Sequence, residues 1–158
     1  MAEDTSNAKS MSLIVTKGSL DWAYPPFILA TTASSMGLDV SMFFTFYGLG
    51  LLQKKLDLEV TALGNPAMKM PMAGMHIGMP NLGSMATSMM KNMIEKKGVA
   101  SIEELREEAI EGDVRLIGCQ MTMDLFEFKK EDLIDNIEVA GAATYVENAL
   151  EADINLFI

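Results

Sequence analysis

Short runs of aliphatic and β-branched residues recur along the chain, and each is stopped by glycine or by a polar residue. Runs of about four to eight such residues, apolar on both faces, are typical of strands in a parallel sheet. The first run, SLIVTK, ends at Gly18. The pattern predicts five strands, at Ser12–Lys17, Asp39–Phe46, Val114–Gly118, Ile137–Ala142 and Ile154–Ile158.

Segments with helical spacing or helix-end signals separate these runs. Ser101 is followed three residues later by Glu104, which is the spacing of a capping box at a helix start. Ser19 and Ser84 also stand where N-cap residues are expected. We predict helices over residues 19–37, 84–98, 101–112 and 143–151, and short helices or turns at 48–55, 121–126 and 129–133.

Strands that alternate with helices predict a mainly parallel sheet with right-handed crossovers. We therefore expect an α/β fold, a flavodoxin-like three-layer sandwich with a mainly parallel five-stranded sheet. A chain of 158 residues is within the usual size of one domain. We predict a flexible N-terminal segment over residues 1–11 and a single domain over residues 12–158.

The balance of charges excludes some classes of partner. The chain has 12 Lys and Arg against 22 Asp and Glu, a net charge of −10, so we expect no nucleic-acid partner. The opening MAEDTSNAKS lacks the pattern of a secretory signal, which predicts a cytoplasmic protein. The region between Asp21 and Gln53 is uncharged except for Asp39, and Asp39 together with prolines and glycines divides it into pieces too short to span a membrane. Contact with a peripheral membrane partner remains open.

The stretch from Leu63 to Met93 holds most of the 15 methionines. Its prolines and glycines exclude regular structure in the first half. Methionine thioethers can bind Cu(I). Flexible methionines also cover apolar pockets or partner surfaces, and we favour this covering role over copper binding. Leu63–Pro80 is then predicted to be a mobile cover over the functional site. The residues considered for copper are Met68, Met70, Met72, Met75, Met79 and His76.

The only cysteine, Cys119, follows the predicted strand Val114–Gly118 directly. In open α/β sheets, functional groups gather at the carboxyl ends of the strands, where Gly18–Asp21 and Phe46–Gly48 are also expected. Backbone N–H groups of the next turn would stabilise a thiolate, the nucleophilic form of cysteine. Free cysteine also packs as a small hydrophobic residue. The residues alone leave both interpretations open.

Two other patterns indicate no chemistry. Gly48–Gly50 reads GLG, part of a dinucleotide fingerprint, but the third glycine is missing from the required spacing. The acids of the helix over residues 101–112 are typical of a solvated helix face. We predict no cofactor and no metal.

The order of several segments resembles one known family. VRLIGCQMTMDLF follows a SIEELREEA helix and the methionine-rich PNLGSMATSMMKNMIEKK, and KKEDLIDNIEVAGAATYVENA comes after it. Together they resemble the DsrE/DsrF/DsrH-like sulfur-trafficking family, and within it the methionine-rich, DsrE-related branch often labelled peroxiredoxin-like. The resemblance implies a flavodoxin-like fold, a homo-oligomer and a cysteine, here Cys119, that carries sulfur as a persulfide. Some relatives have a second cysteine nearby, and this chain has none.

We therefore predict a cytoplasmic sulfur carrier or sulfurtransferase-like protein that holds sulfane sulfur on Cys119 and passes it to a protein thiol. Its partners would be sulfur donor and acceptor proteins, and it would be a carrier more than a multiple-turnover enzyme. Asp124 is expected to orient the turn, because a carboxylate beside a thiolate would raise the thiol pKa. The alternative is a non-catalytic oligomeric binding module whose Met-rich loop holds an apolar ligand or partner. The residues predicted to shape the site are Gly18, Ser19, Tyr47, Gly118, Gln120, Met121 and Asp124.

Overall fold

A single five-stranded sheet forms the centre of the protein in the computed structural model, which describes residues 9–61 and 82–158. Its strands are β1 (Ser10–Val15), β2 (Asp39–Phe44), β3 (Arg115–Cys119), β4 (Glu138–Ala140) and β5 (Ile154–Phe157). They lie in the order β4-β3-β2-β1-β5, and every neighbouring pair is parallel. The predicted α/β class and parallel five-stranded sheet are confirmed.

The described helices connect these strands as βα units. They are α1 (Leu20–Ser35), α2 (Leu82–Lys96), α3 (Ile102–Glu111), α4 (Gln120–Leu125) and α5 (Ala142–Glu151), with 3₁₀ helices at Phe46–Leu52 and Lys130–Asp132.

The strand order determines which helices share a face of the sheet. From β1 to β4 the chain steps in one direction, and it then returns to the far edge beside β1. With right-handed crossovers, this reversal places α5 on the face opposite α1 and α3, which pack against each other. The sheet is therefore covered by helices on both faces, as the three-layer prediction requires.

Each face of the sheet has its own hydrophobic cluster, because successive side chains of a strand point to opposite faces. The larger cluster includes Leu13, Met42 and Phe44, and the ring of Phe27 from α1 packs 5.8 Å from that of Phe44. A smaller cluster lies on the α5 face. It includes Phe43 of β2 and Ile117 and Cys119 of β3, and Tyr145 of α5 packs against them. Cys119 thus points toward the face covered by α5.

The N-cap residues predicted for three helices can be compared with the structure. The capping box is confirmed, since Ser101 Oγ accepts the Glu104 N–H at 3.2 Å and Glu104 Oε2 accepts the Ser101 N–H at 2.7 Å. Ser19 occupies the N-cap of α1, but its side chain makes no capping bond and lies 3.0 Å from Thr61 Oγ1 instead. Helix α2 begins at Leu82, so Ser84 lies inside it and the predicted cap is wrong.

Some predictions concern residues outside the described ranges. Leu63–Pro80, with the methionines and the histidine considered for copper, lies outside them. Within residues 9–61 and 82–158, no helix is both long and apolar enough to cross a membrane.

Candidate functional site

Cys119 lies at the carboxyl edge of the sheet. It is the last residue of β3, where it pairs with Ala140 of β4, and it is also the N-cap residue of α4. The sequence prediction placed it one residue beyond the strand. Only 4% of Cys119 is exposed, because its side chain packs in the cluster with Phe43 and Ile117. The thiol is therefore both largely buried and placed where α/β folds gather functional groups.

The surroundings of Cys119 shift the pKa of its thiol in both directions. Burial is the largest single influence on the pKa of the Cys119 thiol and raises it, because a buried thiolate loses hydration. Hydrogen-bonding groups of Thr122, Thr45 and Met121 lower this pKa, because they favour the charged form of the sulfur. Together these groups outweigh burial, so the pKa lies below its ordinary value. A lower pKa increases the fraction of thiolate, the nucleophilic form, at a given pH.

Thr122 connects the ends of two neighbouring strands beside Cys119. The residue is fully buried, and its Oγ1 lies 3.1 Å from Oγ1 of Thr45, the residue after β2. Thr122 Oγ1 also accepts the backbone N–H of Phe46 at 3.1 Å. Phe46 has a φ of 47°, in the left-handed region that costs a residue with a side chain on the order of 1–3 kcal/mol. The bond to Thr122 helps to hold this turn in place.

Two glycines let the turn after β2 lie against the end of β1. A Cβ atom added at Gly48 would overlap the carbonyl oxygen of Val15, and one added at Gly18 would overlap the carbonyl oxygen of Tyr47. A side chain at either position would push the Phe46–Leu52 helix away from the sheet edge. The GLG sequence therefore has a packing role here, and Gly18 sets the position of Tyr47.

Exposed apolar side chains lie on the turn after Thr45 and on the helix that contains Thr122. The ring of Phe126 stacks on Tyr47 at 6.0 Å and meets Phe46 edge-on at 6.2 Å. Helix α4 adds two side chains one turn apart, each more than half exposed. We call this surface the rim patch; it consists of Phe46, Tyr47, Met121, Leu125 and Phe126.

Three of the predicted site residues, Gly118, Gln120 and Asp124, lie within α4 or just before it. Gln120 Nε2 donates to Asp124 Oδ1 at 2.9 Å, and both residues are exposed. This bond spans one helical turn, and the orienting role of Asp124 stays a prediction. Gly118 pairs with Phe44 of β2 and packs against Leu49, whose Cδ1 would be 3.2 Å from an added Cβ.

Gly18 and Ser19 belong to a neighbouring crevice. It has a volume of about 640 Å³ and is bordered by Tyr47, Trp22 and Lys17, whose Nζ lies 3.2 Å from the centre of the Trp22 ring. Cys119 is not among its lining residues. The strand ends thus form two adjacent sites, and Tyr47 lies at the border between them.

Thr45 and Thr122 are the site residues that the sequence analysis missed. Both were inside segments predicted correctly in outline, the end of the second strand and the turn after Cys119. A usable signal was present, since each hydroxyl stands within one turn of the carboxyl end of a buried strand. Their meeting depends on the parallel register of β2 and β3, in which Phe44 pairs with Gly118.

A metal centre has no support in the described part of the chain. Across residues 9–61 and 82–158, no three His, Cys, Asp or Glu side chains are grouped closely enough to hold a metal ion.

Comparison with known proteins places the chain in a family. The sequence model of the DsrE/DsrF/DrsH-like family matches residues 7–157. A relative from Allochromatium vinosum, named sulfur carrier protein DsrE2, is 56% identical over 157 residues, which cover 95% of this chain and 98% of the relative. YrkE, an uncharacterized protein of Bacillus subtilis, is 33% identical over 159 residues, 98% of this chain and 99% of YrkE.

A solved structure supports the fold independently of close sequence similarity. The crystal structure of the ychN protein from E. coli superimposes with a TM-score of 0.57 at 13% identity, covering 95% of this chain and 99% of that protein. The narrower methionine-rich branch stays a prediction. With a family match over nearly its whole length and a relative identical at more than half of the aligned positions, the chain belongs to the DsrE/DsrF/DrsH-like family.

Proposed function

We propose that this protein is a sulfur carrier that holds sulfane sulfur on Cys119 and passes it to a thiol of another protein. The observation that carries the proposal is the position of Cys119 at the carboxyl edge of the sheet, at the end of β3 and the start of α4, with a thiol pKa below its ordinary value. The relative named sulfur carrier protein DsrE2 supports the same role.

The transfer needs no metal and no oxidant. The Cys119 thiolate attacks the outer sulfur of a donor persulfide, R–S–SH. A bond forms between Cys119 Sγ and that sulfur, while the donor S–S bond breaks and its electron pair leaves with the donor thiolate. An acceptor thiolate then attacks the outer sulfur of Cys119–S–SH in the same way. Cys119 returns to a thiolate, so the cycle balances with one cysteine.

The single cysteine argues against a self-contained peroxidase cycle, which the peroxiredoxin-like label of the resembling branch would suggest. Such a cycle forms a sulfenic acid that condenses with a second thiol. This chain has one cysteine, so resolution would need an outside thiol. Sulfur carriage needs only one cysteine in this chain, because the donor and acceptor proteins supply the other thiols.

Mass spectrometry of the intact protein tests the proposal. After incubation with inorganic polysulfide, we expect the mass of the protein to increase by whole sulfur atoms. A small thiol should then remove the added sulfur, since a persulfide is reducible. A thiol that never takes up sulfur under these conditions would favour the binding-module alternative.

We further propose that donor and acceptor proteins cover the rim patch, because a transferring thiol must approach Cys119 within bonding distance. Tyr47, 74% exposed, is a suitable probe. We expect Tyr47→Ala to slow transfer to a protein acceptor by about tenfold, the loss of one moderate interface contact. Transfer to a small thiol should be unchanged.

The matched control for this contact is Leu150→Ala, which removes an exposed apolar side chain from α5. It should leave both transfer rates as they are. Equal slowing of the protein acceptor and the small thiol by Tyr47→Ala would show that Tyr47 supports the site itself and not a docking surface.

A homo-oligomer is the remaining part of the proposal. Helix α2 exposes Met85, Met89 and Met93, which are spaced four residues apart and so lie along one side of the helix. We expect sedimentation at micromolar concentration to show a species larger than 17.2 kDa. Met89→Glu should shift it toward the monomer, because a carboxylate would be buried in an apolar contact.

Ser88→Glu is the matched control. It adds the same charge at the exposed position just before Met89 and should leave the sedimentation profile unchanged. A wild-type protein that sediments only as a 17.2 kDa species would contradict this part of the proposal.

A further inference from the structure

We propose that Tyr145, in the first turn of α5, covers Cys119 and limits the size of the thiol that can reach it. The inference rests on the proposed function, because a carrier must expose its sulfur first to a donor and then to an acceptor. It deepens that function by naming the residue that selects among such thiols. Tyr145 takes no part in the sulfur chemistry and controls only the access to it.

Cys119 is too deeply buried for another thiol to approach it directly. Only 4% of the residue is exposed, and its side chain belongs to the cluster with Phe43 and Ile117 on the α5 face. Thiol exchange requires the attacking sulfur to reach the sulfur that it attacks, so its rate depends on access. Part of the structure around Cys119 must therefore move before sulfur is received or passed on.

Tyr145 is the side chain that α5 places over this cluster. Within the described ranges, Ala140 and Tyr145 are the partly buried apolar residues packed against it. Ala140 belongs to the sheet itself, where it pairs with Cys119. Tyr145 comes from the helix above the sheet, and its ring lies 5.6 Å from the ring of Phe43. The cover that can be removed from the cluster is therefore Tyr145.

The rest of α5 is held loosely against the sheet. None of its residues is fully buried, whereas α4, which begins beside Cys119, buries two side chains. One turn after Tyr145, Asn148 Oδ1 accepts a bond from Arg115 at 3.4 Å, longer than the usual range of about 2.7–3.2 Å. Asn148 Nδ2 is buried without a partner, which costs free energy that exposure to water would recover. Of these two helices, α5 is the one that moves at the lower cost.

The two ends of α5 are held unequally, and this determines where the helix opens. Near its C-terminal end, Asn155 Nδ2 donates to the carbonyl oxygen of Ala149 at 3.0 Å, and Asp153 Oδ2 accepts the N–H of Ser10 at 3.0 Å. At the N-terminal end, Gly141 has no side chain to cap the helix, and the preceding strand β4 is a three-residue strand at the sheet edge. The first turn therefore opens while the C-terminal end stays anchored, and the aromatic cover moves with it.

The test compares two maleimides of different size on the full chain, in which Cys119 is the single thiol. N-Ethylmaleimide and the bulkier N-(1-pyrenyl)maleimide share one reacting group, so a change in the thiol pKa alters both rates equally. Minor open states of folded proteins are populated at about 0.1–10%, so we expect Tyr145→Ala to speed the pyrenyl reagent by at least about tenfold. N-Ethylmaleimide needs a smaller opening and should gain less. The ratio of the pyrenyl rate to the ethyl rate should therefore rise.

Three control variants separate the loss of a cover from a loss of stability. Tyr145→Phe keeps the ring and should keep the wild-type ratio. Val146→Ala removes the exposed side chain next to it on α5 and should also leave the ratio unchanged. Leu105→Ala removes a buried side chain from α3, on the opposite face of the sheet. It should lower the stability of the protein without raising the ratio.

A folded Tyr145→Ala protein with the wild-type ratio would overturn the inference, and so would an equal rise of the ratio in Leu105→Ala. If Tyr145→Ala does not fold, Tyr145→Leu replaces it, since leucine keeps an apolar contact without the ring. An unchanged ratio in folded Tyr145→Leu then overturns the inference.

The outcome is separable from that of the proposed function, because maleimides react without sulfane sulfur. A raised ratio in Tyr145→Ala, with a wild-type protein that takes up no sulfur, means that the carrier proposal fails and the cover stands. Sulfur uptake by the wild type, together with an unchanged ratio in Tyr145→Ala, gives the opposite result.

Discussion

Cys119→Ser is expected to abolish sulfur loading completely, because an alcohol oxygen cannot form a persulfide. The fold should be retained. Serine differs from cysteine by one atom, and the groups of Thr122, Thr45 and Met121 that lower the thiol pKa can also hydrogen-bond to a serine hydroxyl, so the new polar group is not left buried without a partner. Intact-protein mass spectrometry after incubation with polysulfide measures the loading, and circular dichroism checks the fold.

The Thr122→Ser variant is a suitable companion for this measurement, since it makes the same kind of small change one turn away and keeps the thiol. It should load sulfur as the wild type does. Sulfur bound to folded Cys119→Ser protein, released by a small thiol, would refute the proposed mechanism.

Gly48→Ala is expected to lower the free energy of unfolding by about 1–3 kcal/mol, the usual cost of forcing extra volume into a packed contact. The added methyl would overlap the backbone oxygen of Val15, which cannot rotate away as a side chain can. The turn must move, and with it Thr45 and the bond from Phe46 to Thr122. We therefore expect slower alkylation of Cys119 as well. Urea unfolding and alkylation at neutral pH measure the two effects.

Gly50→Ala provides the matched control within the same 3₁₀ helix. An added Cβ at Gly50 has no atom within 4 Å. Its stability should stay within about 0.5 kcal/mol of the wild type, as for most substitutions away from packed contacts. Equal stability of the two alanine variants would show that the approach of Gly48 to β1 is looser than the structure has it.

The Asp21 carboxylate illustrates a contact that local sequence could not reveal. Burial raises the pKa of Asp21. Hydrogen bonds from the N–H and hydroxyl of Thr61 and from Ser19 lower it by a larger amount, so the pKa of Asp21 lies below its ordinary value. The Thr61 N–H donates to Asp21 Oδ1 at 2.9 Å across 40 residues of chain. Ser19 is used in this contact, and for that reason its predicted capping bond is absent.

The sequence by itself determined the elements and the fold class of this protein. Runs of apolar residues about as long as a strand, and helices with an end signal as strong as Ser101 with Glu104, depend on neighbours within a few positions. Such local preferences predict a strand or a helix before any tertiary contact forms. The single cysteine and its place after a buried strand were equally visible in the sequence, although the residues alone left a catalytic and a packing role open for Cys119.

Only the tertiary structure decided what surrounds Cys119. Thr45 and Thr122 are 77 residues apart in the chain and meet because β2 and β3 pair in parallel, in one register. Gly48 looked like part of a nucleotide motif until its approach to Val15 gave it a packing role. Strand register and close backbone contacts arise when whole elements pack, so residue spacing does not encode them. The place of Cys119 was therefore predictable, whereas the meeting of the Thr45 and Thr122 hydroxyls beside it was not.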